Sequence, residues 1–546
     1  MKWKKRSTAL LMVLVMEFAL QTSALAQENI QGGAGWVAAF GQSSAQTQEM
    51  EQAQEQEQEQ AQEQGQPQNT ADPAQVEQPS GWALEGVNWS AIYGLADQSM
   101  FSSYKSAATF AELFGIACNI YEKITSKSIE PAEDAPFTES DGPEAKEAWT
   151  IGILTDEKSY EPRKTVNRGE VISVLFDTLE SANVGLDLTA GAGSQAGPVE
   201  YFISAGLIKG RQDGQLALDE PCSRQEVLVL AWRVYEFVVY ETGNDSKGLL
   251  WKASDDDSSV YLLGSIHFAD PSIYPLSKKI LEAYDKADYL VVEADIANQA
   301  EDIRYMQTKM MYTGDDTLDK NIPKDLYDKF VEVIKPLNIP PEIYNKLKPW
   351  YAAMLVQGTE LLQGSISANI GIDMYFLSKA AGKKPIMEIE GIRFQVDMFD
   401  SLSNELQVWY LASALASATG GRQQAQDGRQ TGSNQQAGDS RQQAVGEQSQ
   451  AVIILLEILD SWKRGDPGII EMLLELEASA TDAQTREFNH IFWTTRNNNM
   501  FDKTMKYLSD PENKTYFIVV GAGHMGGESG IITQLKKSGI TVEQVK

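Results

Sequence analysis

The chain has 546 residues, which is room for about three to four domains of roughly 150 residues each. Its 46 Lys and Arg residues against 77 Asp and Glu residues give a formal net charge of −31. That charge argues against nucleic acid as a partner, because a protein that follows a phosphate backbone needs clustered cationic side chains. Two cysteines, Cys118 and Cys222, are too few for a disulfide framework and lack zinc-knuckle spacing, although one bridge between them stays open.

The amino-terminal segment has the layout of a secretory signal peptide. Basic residues precede an apolar run at residues 9–20, and Ala24-Leu25-Ala26 provides the small residues that signal peptidase requires. We therefore predict that residues 1–26 are a signal peptide and that the protein is secreted. A transmembrane anchor is the alternative, but the run is short and no later stretch reaches the roughly 18 apolar residues of a spanning helix.

Two segments have the composition of disordered chain. Residues 46–68 contain 17 Gln or Glu among 23 residues and no aromatic residue, so nothing there offsets the entropy of ordering. We predict a disordered linker over residues 27–80; a charged helix is the competing interpretation. Residues 420–450 are also rich in Gln, with Val445 as the only aliphatic residue larger than Ala. We predict that this second segment is a solvated insertion within a folded domain.

Between these segments the chain repeats itself with a period of about 55 residues. Each unit has an apolar helix that ends at Gly-Leu or Gly-Ile, a loop, and a second helix opened by a polar cap with Glu three positions later. The three glutamates are Glu112, Glu170 and Glu226. Because such units share a core, we predict an all-α module of three repeats over residues 81–240.

The repeats resemble surface-layer homology (SLH) repeats. Ser223-Arg224-Gln225-Glu226 is similar to that family's Thr-Arg-Ala-Glu motif, Arg168 lies at the same position as Arg224, and Phe110 stands there in the first repeat. The resemblance implies anchoring to an anionic secondary cell-wall polymer through Arg168 and Arg224, with one degenerate groove at Phe110. An arginine suits a carboxylate because it donates two parallel hydrogen bonds. The alternative is that these arginines only cap helices or form ion pairs.

Residues 248–546 alternate short runs rich in Val, Ile and Tyr with longer amphipathic segments, which is typical of an α/β domain. Three runs indicate strands that end near polar residues: 260–263 before His267, 289–292 before Glu293, and 517–520 before His524. Groups at the carboxyl ends of strands share a crevice in open α/β sheets, so these side chains are expected to meet. We predict a mainly central sheet flanked by helices.

Two of the three histidines belong to one four-residue pattern, Gly-x-x-His, at His267 and His524. Glycine three positions before a histidine lets the backbone turn sharply where a side chain would obstruct it. A lone histidine after a strand is commonly a hydrogen-bonded structural residue, but the recurrence of the pattern favours a joint function. His490 lies in an amphipathic helical segment and is expected to be ordinary.

This combination resembles the TraB/GumN family, which includes pheromone-shutdown proteins and the Tiki metalloproteases that inactivate Wnt. The motifs that carry the resemblance are the two Gly-x-x-His patterns, Glu293 with Asp295, Gly371-Ile372-Asp373, Ile389-Glu390 with Gln395, and Arg496-Asn497. They occur in order over about 290 residues. A compact family member would lack the insertion at 420–450. We expect it to fall in a loop and to alter the lid or substrate side of the domain, not the core motifs.

The resemblance implies a divalent metal ion, Mn, Co, Zn or Fe, with an open position for a water that attacks a peptide. The implied metal ligands are His267, Glu293 and His524. The candidates for general base are Asp295, Asp373 and Glu390. Arg496 is the candidate that stabilises the oxyanion, with a helix ion pair as the alternative.

Together with the signal peptide, the two resemblances imply an exported protein anchored to the cell wall, with a metal-dependent hydrolase domain that acts on peptides at the cell surface. It predicts no nucleic-acid partner and no transmembrane segment after signal cleavage. One alternative is a protein that sequesters a peptide signal without cleaving it. The other is a structural surface-layer protein whose carboxyl-terminal domain is a passive passenger.

Overall fold

The computed structural model describes residues 77–189, 197–210, 214–255, 258–297, 300–361, 366–430 and 450–546. The predicted signal peptide and residues 27–76 of the predicted linker lie outside this part of the chain, as do residues 431–449 of the predicted insertion. The chain divides between Asp245 and Ser246 into two compact units. The described residues before this point are called the repeat unit, and those after it the sheet unit.

The described residues of the repeat unit are organised around helices. These helices are α1 (Leu84–Ile92), α2 (Phe110–Thr125), α3 (Pro143–Thr150), α4 (Arg168–Ala182), α5 (Pro198–Ser204) and α6 (Arg224–Glu241). Helices α2, α4 and α6 each begin with a capping box, in which the cap residue and the Glu three positions later bond to each other's backbone N–H. The caps are Thr109, Asn167 and Ser223.

The residues that precede these capping boxes join the three repeats in a closed ring. Ala108 donates its N–H to Cys222, Cys222 donates to Val166, and Val166 donates back to Ala108, each at 2.9 Å. The three repeats therefore contact one another in an equivalent, cyclic way. Cys118 and Cys222 are buried and not bridged to each other.

The sheet unit contains one mixed sheet of six strands in its described residues, in the order β4-β3-β5-β2-β1-β6. The strands are β1 (Leu249–Ser254), β2 (Ser259–Ser265), β3 (Tyr289–Val292), β4 (Ile386–Glu388), β5 (Tyr516–Gly521) and β6 (Thr541–Gln544). Strands β4, β3, β5 and β2 run parallel to one another, and β1 is antiparallel to β2 and β6. The carboxyl ends of four neighbouring strands therefore meet at one edge of the sheet.

Helices fill the connections between the strands of this α/β unit. They are α7 (Lys278–Lys286), α8 (Ala300–Met310), α9 (Leu318–Asn321), α10 (Lys324–Ile334), α11 (Pro341–Tyr344), α12 (Pro349–Leu361), α13 (Ile372–Ala380), α14 (Ile392–Asp400), α15 (Asn404–Gln430), α16 (Gln450–Lys463), α17 (Gly468–Ala478), α18 (Ala483–Asn489), α19 (Arg496–Leu508) and α20 (Ile531–Lys537). A π-helical turn, His490–Thr495, joins α18 to α19. Helix α15 continues to Gln430, inside the predicted insertion. None of the helices in the described ranges has the length and apolar character that crossing a membrane requires.

Candidate active site

Four neighbouring parallel strands each lead into a candidate site residue. Strand β2 is followed by His267, β3 by Glu293, β4 by Glu390, and β5 by His524. The pairing of β3 with β4 continues past the strands, because the Glu390 N–H donates to the Glu293 carbonyl at 2.9 Å. The strand ends thus bring together groups that are far apart in sequence.

The glycine of the first Gly-x-x-His pattern is required by close packing. A Cβ on Gly264 would lie 3.1 Å from the Ala522 Cα, which is tighter than ordinary van der Waals contact. Ala522 belongs to the second pattern, so the missing side chain lets the two histidine turns approach each other. Gly264 and Gly521 are not among the glycines with positive φ, and the sharp turn expected from the sequence is not what they supply.

Glu293 is held by groups from three different elements. Its Oε1 accepts the Gly521 N–H at 2.5 Å and lies 3.8 Å from the His524 Nε2. Its Oε2 accepts from the Arg496 Nη2 at 2.7 Å and from the Gln395 amide at 3.4 Å. One carboxylate oxygen therefore faces the imidazole, and the other is neutralised by a guanidinium.

Arg496 bridges two carboxylates. Besides its bond to Glu293, its Nε donates to both oxygens of Glu390, at 3.1 and 3.0 Å, and its Nη2 lies 2.9 Å from the Glu390 Oε2. The Arg496 guanidinium also lies over the Phe492 ring, 4.9 Å from its centroid. Arg496 is thus a buried ion-pair partner, and its guanidinium is already engaged by two charged groups.

Both site histidines are oriented through Nδ1. The His267 Nδ1 lies 2.5 Å from the Asp373 Oδ2, and Ser265 donates its hydroxyl to the same oxygen. The His524 Nδ1 lies 2.5 Å from the Asn497 Oδ1. A polar partner on one ring nitrogen fixes the tautomer and the ring orientation, and it directs the chemistry to Nε2.

Two other predicted residues make no hydrogen bond or ion pair with these side chains in the described structure. The Asp295 carboxylate accepts the Ala297 N–H at 3.1 Å within its own turn, and its side chain is half-buried. His490 is exposed at the start of the π-helical turn.

Next to Asp373, Tyr274 donates its hydroxyl to the Ile370 carbonyl at 2.9 Å. Burial keeps the pKa of this phenol well above its usual value, so Tyr274 is a neutral donor.

The segment that holds all these groups, residues 249–544, matches the TraB/PrgY/gumN family. The chain belongs to this family. It is also similar to the uncharacterised protein YbaP of Escherichia coli strain K12, with 26% identity over 160 residues that cover 28% of this chain and 58% of YbaP. YbaP of Shigella flexneri is 27% identical over 146 residues, which cover 27% of this chain and 53% of that protein.

The chain thus spans little more than half the length of these curated relatives. No solved structure matches it.

The site of this TraB/PrgY/gumN member offers the donor types of a transition-metal centre, namely two imidazoles and a carboxylate. Two of these donors, the His524 Nε2 and the Glu293 Oε1, lie 3.8 Å apart, close to the separation of ligands on one ion. Among the described residues, however, no group of three or more His, Cys, Asp or Glu side chains is arranged to hold a metal ion. The donor chemistry and the orienting partners fit a metal, whereas the side chains that the structure describes do not form a complete set of ligands.

Several residues of the site were not assigned a role from the sequence. Asn497 and Gln395 belong to motifs of the family resemblance, but nothing in the sequence says which side chains they contact. Ser265 lies inside the first Gly-x-x-His pattern, so its contact with Asp373 is signalled only by its position at a strand end. No motif points to Trp493, whose ring lies 5.1 Å from that of His524.

In the repeat unit, the two predicted polymer-binding arginines each face the capping-box glutamate of another repeat. The Arg168 Nη1 lies 3.5 Å from the Glu226 Oε1, and Arg224 pairs with Glu112. In the third position of this cycle, Lys164 lies 3.8 Å from the Glu170 carboxylate. The Lys164 ammonium also lies over the Phe110 ring, 5.3 Å from its centroid. Lys164 therefore supplies the cation at the position where Phe110 replaces the arginine of the other two repeats.

Proposed function

We propose that the sheet unit is a metal-dependent hydrolase that acts on peptides, and that the SLH-like repeat unit anchors the exported protein to an anionic cell-wall polymer. The two halves of this proposal rest on separate observations. The first concerns the charge buried at the edge of the sheet, and the second concerns two arginines of the repeat unit.

The excess of buried carboxylates is the observation that carries the hydrolase proposal. The side chains of Glu293, Glu390 and Asp373 are 6%, 1% and 8% exposed, and that of Arg496 is 2% exposed. Three ionised carboxylates and one guanidinium carry a formal net charge of −2 when the imidazoles are neutral, the form that binds metals. Burying uncompensated charge is costly. A divalent cation is the natural counter-charge for this set.

His267, His524 and Glu293 are the proposed ligands, and each is already oriented by the chain. Asp373 holds one imidazole, Asn497 holds the other, and Arg496 holds the carboxylate. A bound metal would supply a Lewis acid and a water of lowered pKa. Partners that orient metal ligands in this way typically affect metal affinity or activity by about 10- to 100-fold.

The contacts of the remaining acidic residues support separate roles for them in this proposal. Asp373 is committed to His267, and both oxygens of Glu390 are committed to Arg496. In the described structure, the Asp295 carboxylate accepts only from a neutral backbone N–H. We therefore assign Asp295 as the general base and Asp373 and Glu390 as residues that orient their neighbours. Arg496 stabilises Glu293 and Glu390 in this scheme, and the oxyanion role is not assigned to it.

The anchoring proposal is supported by two buried donors. In the described part of the chain, the Nε atoms of Arg168 and Arg224 are buried and make no hydrogen bond. The Arg168 Nη1 faces the Glu226 carboxylate, whereas Arg224 donates through Nη2 to Glu112 and through Nη1 to the Ser102 carbonyl at 3.2 Å. The Nε N–H of each guanidinium is left for a further acceptor. A carboxylate of an anionic polymer would satisfy that donor, since arginine binds carboxylates through parallel N–H groups.

Cleavage of a peptide library by the purified protein, combined with metal analysis, tests the hydrolase proposal. We expect bound divalent metal, cleavage that stops on chelation, and loss of metal from the His267→Ala and His524→Ala variants. His490→Ala is the matched control and should behave as wild type. Peptide binding without cleavage would instead support a sequestering protein, and cleavage that survives chelation would contradict the metal assignment.

Retention on purified cell-wall sacculi tests the anchoring proposal. The double variant Arg168→Ala/Arg224→Ala should be released, since both proposed donors are removed. Arg163→Ala removes an exposed arginine of the same unit and should be retained. Equal retention of all three proteins would mean that the repeats do not hold the polymer through these arginines.

A further inference from the structure

A carboxyl group is buried where the helical pattern calls for an apolar side chain. Helix α17 buries Ile470, Leu473 and Glu477, positions that lie on one face of a helix with 3.6 residues per turn. Glu477 is 3% exposed. Glutamate is almost never buried this deeply unless it is paired, so its contacts indicate what it does.

Glu477 makes one strong side-chain contact, to an aromatic residue of the site. Its Oε2 accepts the indole N–H of Trp493 at 2.9 Å. Its Oε1 is buried and has no hydrogen-bond partner in the described part of the chain, and the same holds for the Oδ1 of Asn489. The Asn489 amide donates to the Glu477 backbone carbonyl at 3.2 Å, so the two residues that carry these unsatisfied acceptors are in contact. Burial raises the pKa of the Glu477 carboxyl to about 8, because the neutral, protonated form is favoured where water is excluded.

Trp493 connects Glu477 to His524. The two rings lie 5.1 Å apart at an angle of 58°, and His524 has no exposed surface. Asn497, which bonds the His524 Nδ1, follows Trp493 by four residues, so both contact the imidazole from one helical stretch. The π-helical turn His490–Thr495 lies in this stretch, and such turns are frequent at functional sites.

We propose that Glu477 is a positioning residue for His524, acting through its hydrogen bond to the Trp493 indole. The hydrogen bond to the indole N–H favours one orientation of the ring against the imidazole, because leaving this donor buried and unbonded would cost free energy. The carboxyl group acts here as a hydrogen-bond acceptor. Its significance for catalysis rests on the proposed function, whereas the placement of His524 can be measured without any substrate.

Histidine-selective isotope labelling provides the test, since the chain has three histidines and therefore three sets of imidazole NMR signals. The His524 signals are assigned with the His524→Ala variant. Glu477→Met keeps the length of the side chain and removes the acceptor, and Trp493→Phe removes the donor. Both should shift the His524 signals and leave those of His490 unchanged. Glu477→Gln supplies an amide oxygen for the indole and should retain the wild-type His524 signals.

The double variant Glu477→Met/Trp493→Phe should shift the His524 signals no further than Trp493→Phe alone does, because both changes break the same contact. Tyr410→Phe is the control for loss of a buried hydrogen bond in this unit, since its hydroxyl bonds Gln357 at 2.9 Å; it should leave His524 unchanged. If Glu477→Met does not fold, Trp493→Phe and Glu477→Gln decide the question. The proposal is overturned if folded Glu477→Met leaves the His524 signals in place, or if Glu477→Gln shifts them as far as Trp493→Phe does.

Discussion

Replacing Arg496 with Met should strongly destabilise the sheet unit. The guanidinium lies 2.7 Å from the Glu293 Oε2 and 2.9 Å from the Glu390 Oε2, and its side chain is 2% exposed. Methionine fills a similar volume and removes the charge, so two buried carboxylates lose their common partner. Breaking a buried ion pair typically costs about 3–5 kcal/mol, and a domain is stable by only about 5–15 kcal/mol. We expect a loss of about 3–5 kcal/mol here.

Urea unfolding at neutral pH measures this loss directly. Arg393→Met is the matched control, because Arg393 also pairs with a carboxylate, Asp302 at 2.7 Å, but its side chain is 55% exposed. An exposed pair is worth at most about 1 kcal/mol, so the control should unfold close to wild type. Arg496→Met/Glu390→Gln should regain part of the lost stability, since one uncompensated charge is removed. An Arg496→Met protein as stable as the Arg393→Met control would refute the assignment of Arg496 to a buried ion pair.

Three further predictions use other features of the sheet unit. Gly264→Ala should destabilise the protein by about 1–3 kcal/mol, because the new Cβ would lie 3.1 Å from the Ala522 Cα. Gly115→Ala in α2 is the control: its Cβ would meet nothing within 4 Å, so this variant should be neutral or stabilising. Thermal unfolding measures both. The folded pKa of Glu477 is raised from 4.5 to about 8, so its contribution to stability is present in acid and is lost between those values as pH rises, by up to about 1.4 kcal/mol per pH unit. Unfolding of wild type and Glu477→Gln from pH 5 to pH 8.5 should show the gap widening in favour of the variant, and parallel curves would contradict this. Deletion of Thr494 should turn the residues after the π-helical turn by about 100° relative to Trp493. Either the Trp493 or the Asn497 contact to His524 is then lost, so the His524 NMR signals should shift, and unchanged signals would contradict this. Thr495→Ala is the control, because it keeps the length of the turn.

The strands that carry the site were predictable because their sequences are continuous apolar runs. The predicted strand at 289–292 has the bounds of β3, and the runs at 260–263 and 517–520 lie within β2 and β5. Strand β4 has three residues, Ile386–Glu388, and none of them is buried. A strand that short and exposed has no periodicity to recognise, so Glu390 was found from a motif and not from a strand end.

The partners of the site residues were not predictable, because they depend on tertiary contacts. Arg496 is 203 positions from Glu293 and 106 from Glu390, and the sequence left oxyanion stabilisation and an ion pair open for it. The structure places its guanidinium between the two carboxylates. The π-helical turn gives no apolar pattern of its own, and the burial of Glu477 contradicts the helical pattern of α17. Both follow from packing around His524, which only the folded chain reveals.

Strands and helices supply different groups of the site. The strand ends of β2, β3 and β5 supply the proposed donors, whereas helices supply the groups that orient them: α13 supplies Asp373, and α19 supplies Arg496 and Asn497. Because Arg496 holds Glu293 and the next residue holds His524, any movement of the first turn of α19 changes two donors together. The π-helical turn before α19 fixes where that turn begins, and α17 reaches the same turn through Trp493. Changes in these helices can therefore alter the geometry of the site without replacing a donor.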